Sequence, residues 1–161
     1  MSKKFRLKSL LLIGFSVAIG LVSPLLGAAP KANAAVMHTS PPPIEISPYS
    51  MFDPNFVSLD YGAASISDKG AGKISISGET NAKKTVSTIG VKVVVQRWTG
   101  TAWVDYYTGN SATKSNNSYI LTSEEKTVST GYYYRTVSTH WTINGGVREE
   151  GTKTSSSIAV S

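Results

Sequence analysis

The sequence predicts an all-β fold, an antiparallel immunoglobulin-like sandwich of about seven or eight strands, preceded by a signal peptide and a Pro-rich arm. Three observations carry this. After the first thirty-odd residues no long segment repeats apolar residues at the three-and-four spacing of an amphipathic helix. Ser, Thr, Val, Gly and Tyr dominate that region, and its apolar residues alternate with polar ones. Glycine-bearing turn signals recur at the short intervals expected of a small sandwich of this size.

The N-terminus carries Lys3, Lys4, Arg6 and Lys8 with no acid, then an apolar run from Leu10 through Leu26, then Ala32-Asn33-Ala34 followed by Ala35. A positive start, an apolar middle and an A-x-A site are the parts of a secretory signal peptide, spanning 1-34. Cleavage is expected after Ala34, with Ala35 the close variant. Five of the sixteen basic residues lie in that segment and none of the ten acids does, leaving eleven against ten, a net of +1. The formal +6 of the whole chain therefore belongs to the targeting segment, and charge gives no argument for nucleic acid as a partner. No cysteine is present, which removes disulfides, thiolate zinc sites and thiol nucleophiles. No second apolar stretch follows, so no membrane span is expected after signal removal, and the expected location is extracellular.

Residues 35-55 read as a Pro-rich arm or linker. Pro41-Pro42-Pro43, Pro48 and Pro54 fix φ and remove donors, so the segment should be extended and largely outside any sheet. It reads as a disordered tail or as an arm partly docked through Ile44, Ile46 and Phe52. The β-domain follows, 56-161. Ala64 and Ile66 form a first strand. Lys69-Gly70-Ala71-Gly72 turns the chain, and Ile74 and Ile76 form a second. From Ile89 to Trp98, Ile89, Val91, Val93 and Val95 point toward the core, while Lys92, Val94, Gln96 and Trp98 point away. Thr99-Gly100-Thr101-Ala102 makes a hairpin into a short strand, Trp103 to Tyr107. Gly109 to Asn117 is polar and reads as turn-rich. Strands are expected around Tyr119 and Leu121 and from Tyr132 to Ile143. Asn144-Gly145-Gly146 closes the latter into Val147 to Thr154, with Ser155 to Val160 as a continuation or edge strand. A small closed barrel or jelly roll is the competing architecture.

The run Gly90-Val91-Lys92-Val93-Val94-Val95-Gln96-Arg97-Trp98, then Gly100 and Trp103-Val104, resembles the central hairpin of bacterial immunoglobulin-like modules. Gly131-Tyr132-Tyr133-Tyr134-Arg135 resembles the start of the penultimate strand in such sandwiches. A tyrosine corner forms there in that fold, with Tyr133 or Tyr134 in the role. From Ala64 to Val160 the chain is similar to a family of small secreted proteins of spore-forming Gram-positive bacteria whose function is not established. The resemblance implies fold and export and names no ligand.

The chain offers little for catalysis. His38 lies in the arm and His140 in a strand, with no G-x-S-x-G elbow to supply a nucleophile. Glu124-Glu125 and Glu149-Glu150 are sequence neighbours, so on strands they face opposite sides and do not converge as glycoside hydrolysis needs. Asp105 with Glu150 is the remaining long-range pair. No catalytic residue is assigned. No calcium loop or zinc-spaced His pair exists, so neither metal nor cofactor is expected. Aromatics are the one concentration: Trp98, Trp103 and Tyr106 are the candidate ligand-binding residues, because flat rings stack on sugars or anchor partners. The competing reading is cross-strand pairing that only stabilises the hairpin. The expected function is a secreted, non-enzymatic binding or cell-surface protein whose partner is a cell-wall glycan or an extracellular protein. A small secreted toxin or bacteriocin-like protein is the alternative, and a small extracellular hydrolase the third.

Overall fold

A computed structural model describes residues 36–44 and 52–161. The signal segment, its cleavage residues Ala34 and Ala35, and Ile46 lie outside the described residues. No helix occurs among the described residues, and every strand pairing is antiparallel.

Six strands form one sheet that curls into a half-barrel. They are β1 (Leu59–Gly70), β2 (Lys73–Trp98), β3 (Trp103–Thr127), β4 (Tyr132–Asn144), β5 (Val147–Thr154) and β6 (Ile158–Val160). The spatial order is β1-β2-β4-β5, with β3 also on β2 and β6 also on β4. Alternation forms these elements as expected. Ile89, Val91, Val93 and Val95 are all buried, and they centre a core completed by Ile74, Ile76, Val86, Ile120, Val128, Tyr134 and Val160.

Seven or eight strands were expected and six are present among the described residues, for a reason visible in β2 and β3. Each joins two expected strands into one bent strand. The widest gap in their shared ladder lies between Asn81 and Val86, and pairing resumes at Val86↔Asn117. The polar stretch 109–117, expected to be a turn region, pairs with β2 through Ser111↔Lys92, Thr113↔Gly90 and Ser115↔Thr88. A strand at a sheet edge needs only its backbone ladder; solvent satisfies its polar side chains. Asn116, at φ 50°, marks the bend. Because β2 bends, its two halves face each other. A Cβ at Gly78 would sit 2.8 Å from a methyl of Val91, so the layers meet there only because residue 78 has no side chain.

The β4–β5 hairpin follows its sequence signal. Gly145 (φ 57°) and Gly146 (φ 80°) both take positive φ, as a type I′ turn requires, between the paired Asn144 and Val147. At the start of β4, fully buried Tyr134 donates its hydroxyl proton to the Ser129 carbonyl at 2.8 Å, the bond of a tyrosine corner.

The arm docks at two places. The His38 amide donates to the Gly131 carbonyl at 2.8 Å, and the Ser40 carbonyl accepts from the Trp98 indole at 3.1 Å. Further on, Phe52 is buried beside His140. The amides of Val57, Ser58 and Leu59 all donate to the Glu149 carboxylate. Burial alone would raise the pKa of Glu149, but those three amides and Lys83 outweigh it and hold it below the usual range. Ile44, expected to help dock the arm, is instead 94% exposed. That end of the arm is held by its hydrogen bonds to Gly131 and Trp98 and by the His38 ring against Tyr132.

Candidate functional site

The three candidate aromatics sit around the β2–β3 hairpin but do not share one face. Trp98 and Trp103 are direct cross-strand partners, with ring centroids 5.3 Å apart. Residues opposite one another on paired strands project to the same side. Gln96, Asp105 and Arg135 therefore accompany the tryptophans, since Gln96 pairs with both of the others. Arg97 pairs with Val104 on one side and Tyr134 on the other, so these lie on the opposite face. Tyr106 joins that face: it meets Tyr134 edge-on at 5.4 Å and lies under the Arg97 guanidinium at 5.0 Å. A bulge at Val95/Gln96, where the ladder skips Tyr106, helps to turn it there.

Trp98 does lie opposite the core register, as read from the sequence, yet it is only 7% exposed. The arm covers it, and Ser40 takes its N–H. Trp103 is half-buried under the Arg135 guanidinium at 4.4 Å, with its indole nitrogen inside and without a hydrogen-bond partner among the described residues. Arg135 in turn donates through Nε to Gln96, which donates to Asp105, each at 2.9 Å. Tyr106 is 36% exposed and is the most open of the three.

Sequence reasoning passed over the arginines. Arg97 lies against two rings, Tyr106 and, at 4.7 Å, Tyr132; the His38 ring of the arm also packs on Tyr132, at 4.8 Å. The hairpin end is thus an aromatic and guanidinium surface. The available signal was spacing: on β2, Arg97 two positions from Val95 falls on the core face at the rim. Burial, reinforced by Tyr106 and opposed by Arg97, pushes the Tyr134 phenol up to about 12, so it stays neutral beside that guanidinium. A second exposed pair was also missed. Tyr61 and Tyr119 flank Asn81 in one row across β1, β2 and β3.

His140 is fully buried. Its Nδ1 lies 2.8 Å from the Thr80 hydroxyl, whose single proton goes to the Gly90 carbonyl at 3.0 Å. The hydroxyl must then accept from the ring, which places the ring proton on Nδ1. Burial, with Lys153 nearby, pulls the pKa of His140 down to about 4. A ring withdrawn from solvent and held neutral is poorly placed to meet a substrate.

The carboxylates are occupied structurally. Glu149 holds the three amides above. Glu124 accepts from the Asn110 amide at 2.7 Å and from the Tyr107 hydroxyl at 3.1 Å, tying the two halves of β3 together. Lys73 pairs with Glu125 at 3.6 Å and Arg148 with Glu150, while Asp105 serves Gln96. Asp105 and Glu150 thus answer to different partners. No group of three or more His, Cys, Asp or Glu side chains able to hold a metal occurs among the described residues. Compared with protein-family models, curated protein sequences and solved structures, the chain finds no match.

Proposed function

We propose that this chain is an exported, non-enzymatic β-domain that binds a cell-wall glycan through its hairpin end. The observation that supports it most is the gathering of Tyr106 and Tyr132 around Arg97 on one face of the hairpin end, with Trp103 under Arg135 on the other face. Rings backed by guanidinium groups are held in place, so a ligand that stacks on them meets a rigid surface at low entropic cost. Trp98, under the arm, is a support for that surface rather than part of it. The burial of His140 and the structural use of Glu124 and Glu149 favour binding over hydrolysis.

The half-barrel is read as a variant of the immunoglobulin-like sandwich in which β2 and β3 each run through both layers. The Tyr134 corner and the face-to-face approach at Gly78 support this reading. Counting each bent strand twice restores the expected number.

The test is retention of the full chain, and of the form processed after Ala34, on insoluble polysaccharides and isolated cell walls at low and high salt. Retention should survive high salt, because stacking is screened far less than charge pairing. Tyr106→Ala should weaken it at least tenfold and Trp103→Ala, on the opposite face, less, while Val147→Ser, on the distant β4–β5 hairpin, leaves it unchanged. Binding lost in Tyr61→Ala/Tyr119→Ala but intact in Tyr106→Ala would overturn the assignment to the hairpin end.

A further inference from the structure

Arg97 is a half-buried cation with no counter-charge among the described residues. Its Nε is out of solvent and finds no hydrogen-bond partner among the described residues. The acids involved in ion pairs with Lys73 and Arg148 are Glu125 and Glu150. Asp105, the acid nearest in sequence on β3, projects to the opposite face and is bonded to Gln96. What does surround the guanidinium is aromatic: Tyr106 at 5.0 Å, Tyr132 at 4.7 Å, and Tyr134 across the ladder. The Tyr134 hydroxyl proton is already committed to Ser129, and the phenol remains neutral. Ring faces attract a cation but return only part of the hydration it gives up, and an unpaired charge in such a place is costly.

The rim around this cation is open on one side. Val104, directly across from Arg97, and Tyr106 are both exposed, so a ligand can approach the guanidinium from there. A guanidinium presents paired N–H donors in one plane, which match the paired oxygens of a carboxylate or phosphate. The flanking tyrosines offer ring faces to whatever carries that group.

We propose that Arg97, framed by Tyr106 and Tyr132, is an anion-binding subsite that takes the carboxylate or phosphate of an acidic glycan. This rests on the hairpin end being the binding surface and deepens it by naming the ligand class. Uronic acid carboxylates and sugar-phosphate diesters share the required oxygens, and the probes below separate them.

The experiment titrates the full chain with glucuronate, glycerol phosphate and uncharged glucose, following the Arg97 Nε–H and Tyr106 ring signals by NMR. One of the two anions should move both signals, glucose at the same concentration should not, and added salt should weaken the response. Which anion does so identifies the source. Arg97→Gln should weaken that binding at least tenfold, and Arg97→Lys, which keeps charge but loses the planar fork, should fall between. Should Arg97→Gln not fold, Tyr106→Leu provides the second variant, expected to weaken anion binding while the Arg97 signal still responds. Equal responses to glucose and to both anions, or no response to any probe, would overturn the subsite. Polysaccharide retention lost in Tyr106→Ala but untouched in a folded Arg97→Gln would also sink it, while leaving the broader binding function standing.

Discussion

Strands β2 and β4 lie side by side and bury their inward residues equally, yet with opposite chemistry. From β2 come Ile89, Val91, Val93 and Val95; directly across on β4 stand Thr142, His140, Ser138 and Thr136. All eight are essentially inaccessible. The β2 side chains fill space with hydrocarbon, the usual source of core stability. The β4 side chains carry four polar groups into the same layer. The Thr136, Ser138 and Thr142 hydroxyls and the His140 Nε2 have no hydrogen-bond partner among the described residues. Burial and hydrophobicity are therefore separable here: β2 supplies the stabilising half of the ladder, and β4 carries a desolvation penalty beside it.

The largest break in that comparison should come from the apolar side. Ile89→Ala should cost about 4 kcal/mol, within the range for emptying a fully packed isoleucine site, measured as a fall in the urea midpoint at constant slope. A cost under about 1 kcal/mol would mean that the β2 face is not the principal core.

Next comes pH. The folded pKa of His140 is about 4, below the unfolded value, so between these two the unfolded chain takes up a proton that the folded ring refuses. Stability should therefore be complete above about pH 6.5, fall as pH drops through the window, and level off below the folded value. The full loss is on the order of 3 kcal/mol by the linkage relation. Urea titrations from pH 7.5 to 4 read it, as rough bounds of that window. A folded His140→Leu protein should lose most of this slope; an unchanged slope would assign acid sensitivity elsewhere. The smallest effect sharpens the contrast on a single rung. Thr142→Val, opposite Ile89, removes a buried hydroxyl without a partner and should gain about 1 kcal/mol. A loss of similar size would show that this hydroxyl is satisfied in solution.

This contrast also explains what could be read from the chain. The β2 face was legible because its alternation is apolar against polar. The β4 face was not, because Thr136, Ser138, His140 and Thr142 alternate with Arg135, Val137, Thr139 and Trp141, a pattern that carries no inward signal. Turn chemistry was legible where positive φ is required, as at Gly100 and Gly145-Gly146. The segment 109–117 misled because an edge strand needs no apolar residues. At the hairpin end the rings were visible as residue types. Their division between two faces was not, since it depends on the bulge at Tyr106, and the cover over Trp98 depends on an arm nearly sixty residues earlier in the chain.

The seat of that arm has a consequence in time. His38 is bonded to Gly131, whose own amide donates to the Val160 carbonyl at 2.7 Å. The arm is thus held on a platform built from the start of β4 and from β6, both far along the chain from it. During synthesis this arm waits for its seat until β6 has been made. Closure over Trp98 is therefore a late, long-range event, and the slow class of folding step in β-proteins is of this kind. The docked arm thus marks the assembly of one corner of the fold: its seat exists only once β4 and β6 lie side by side.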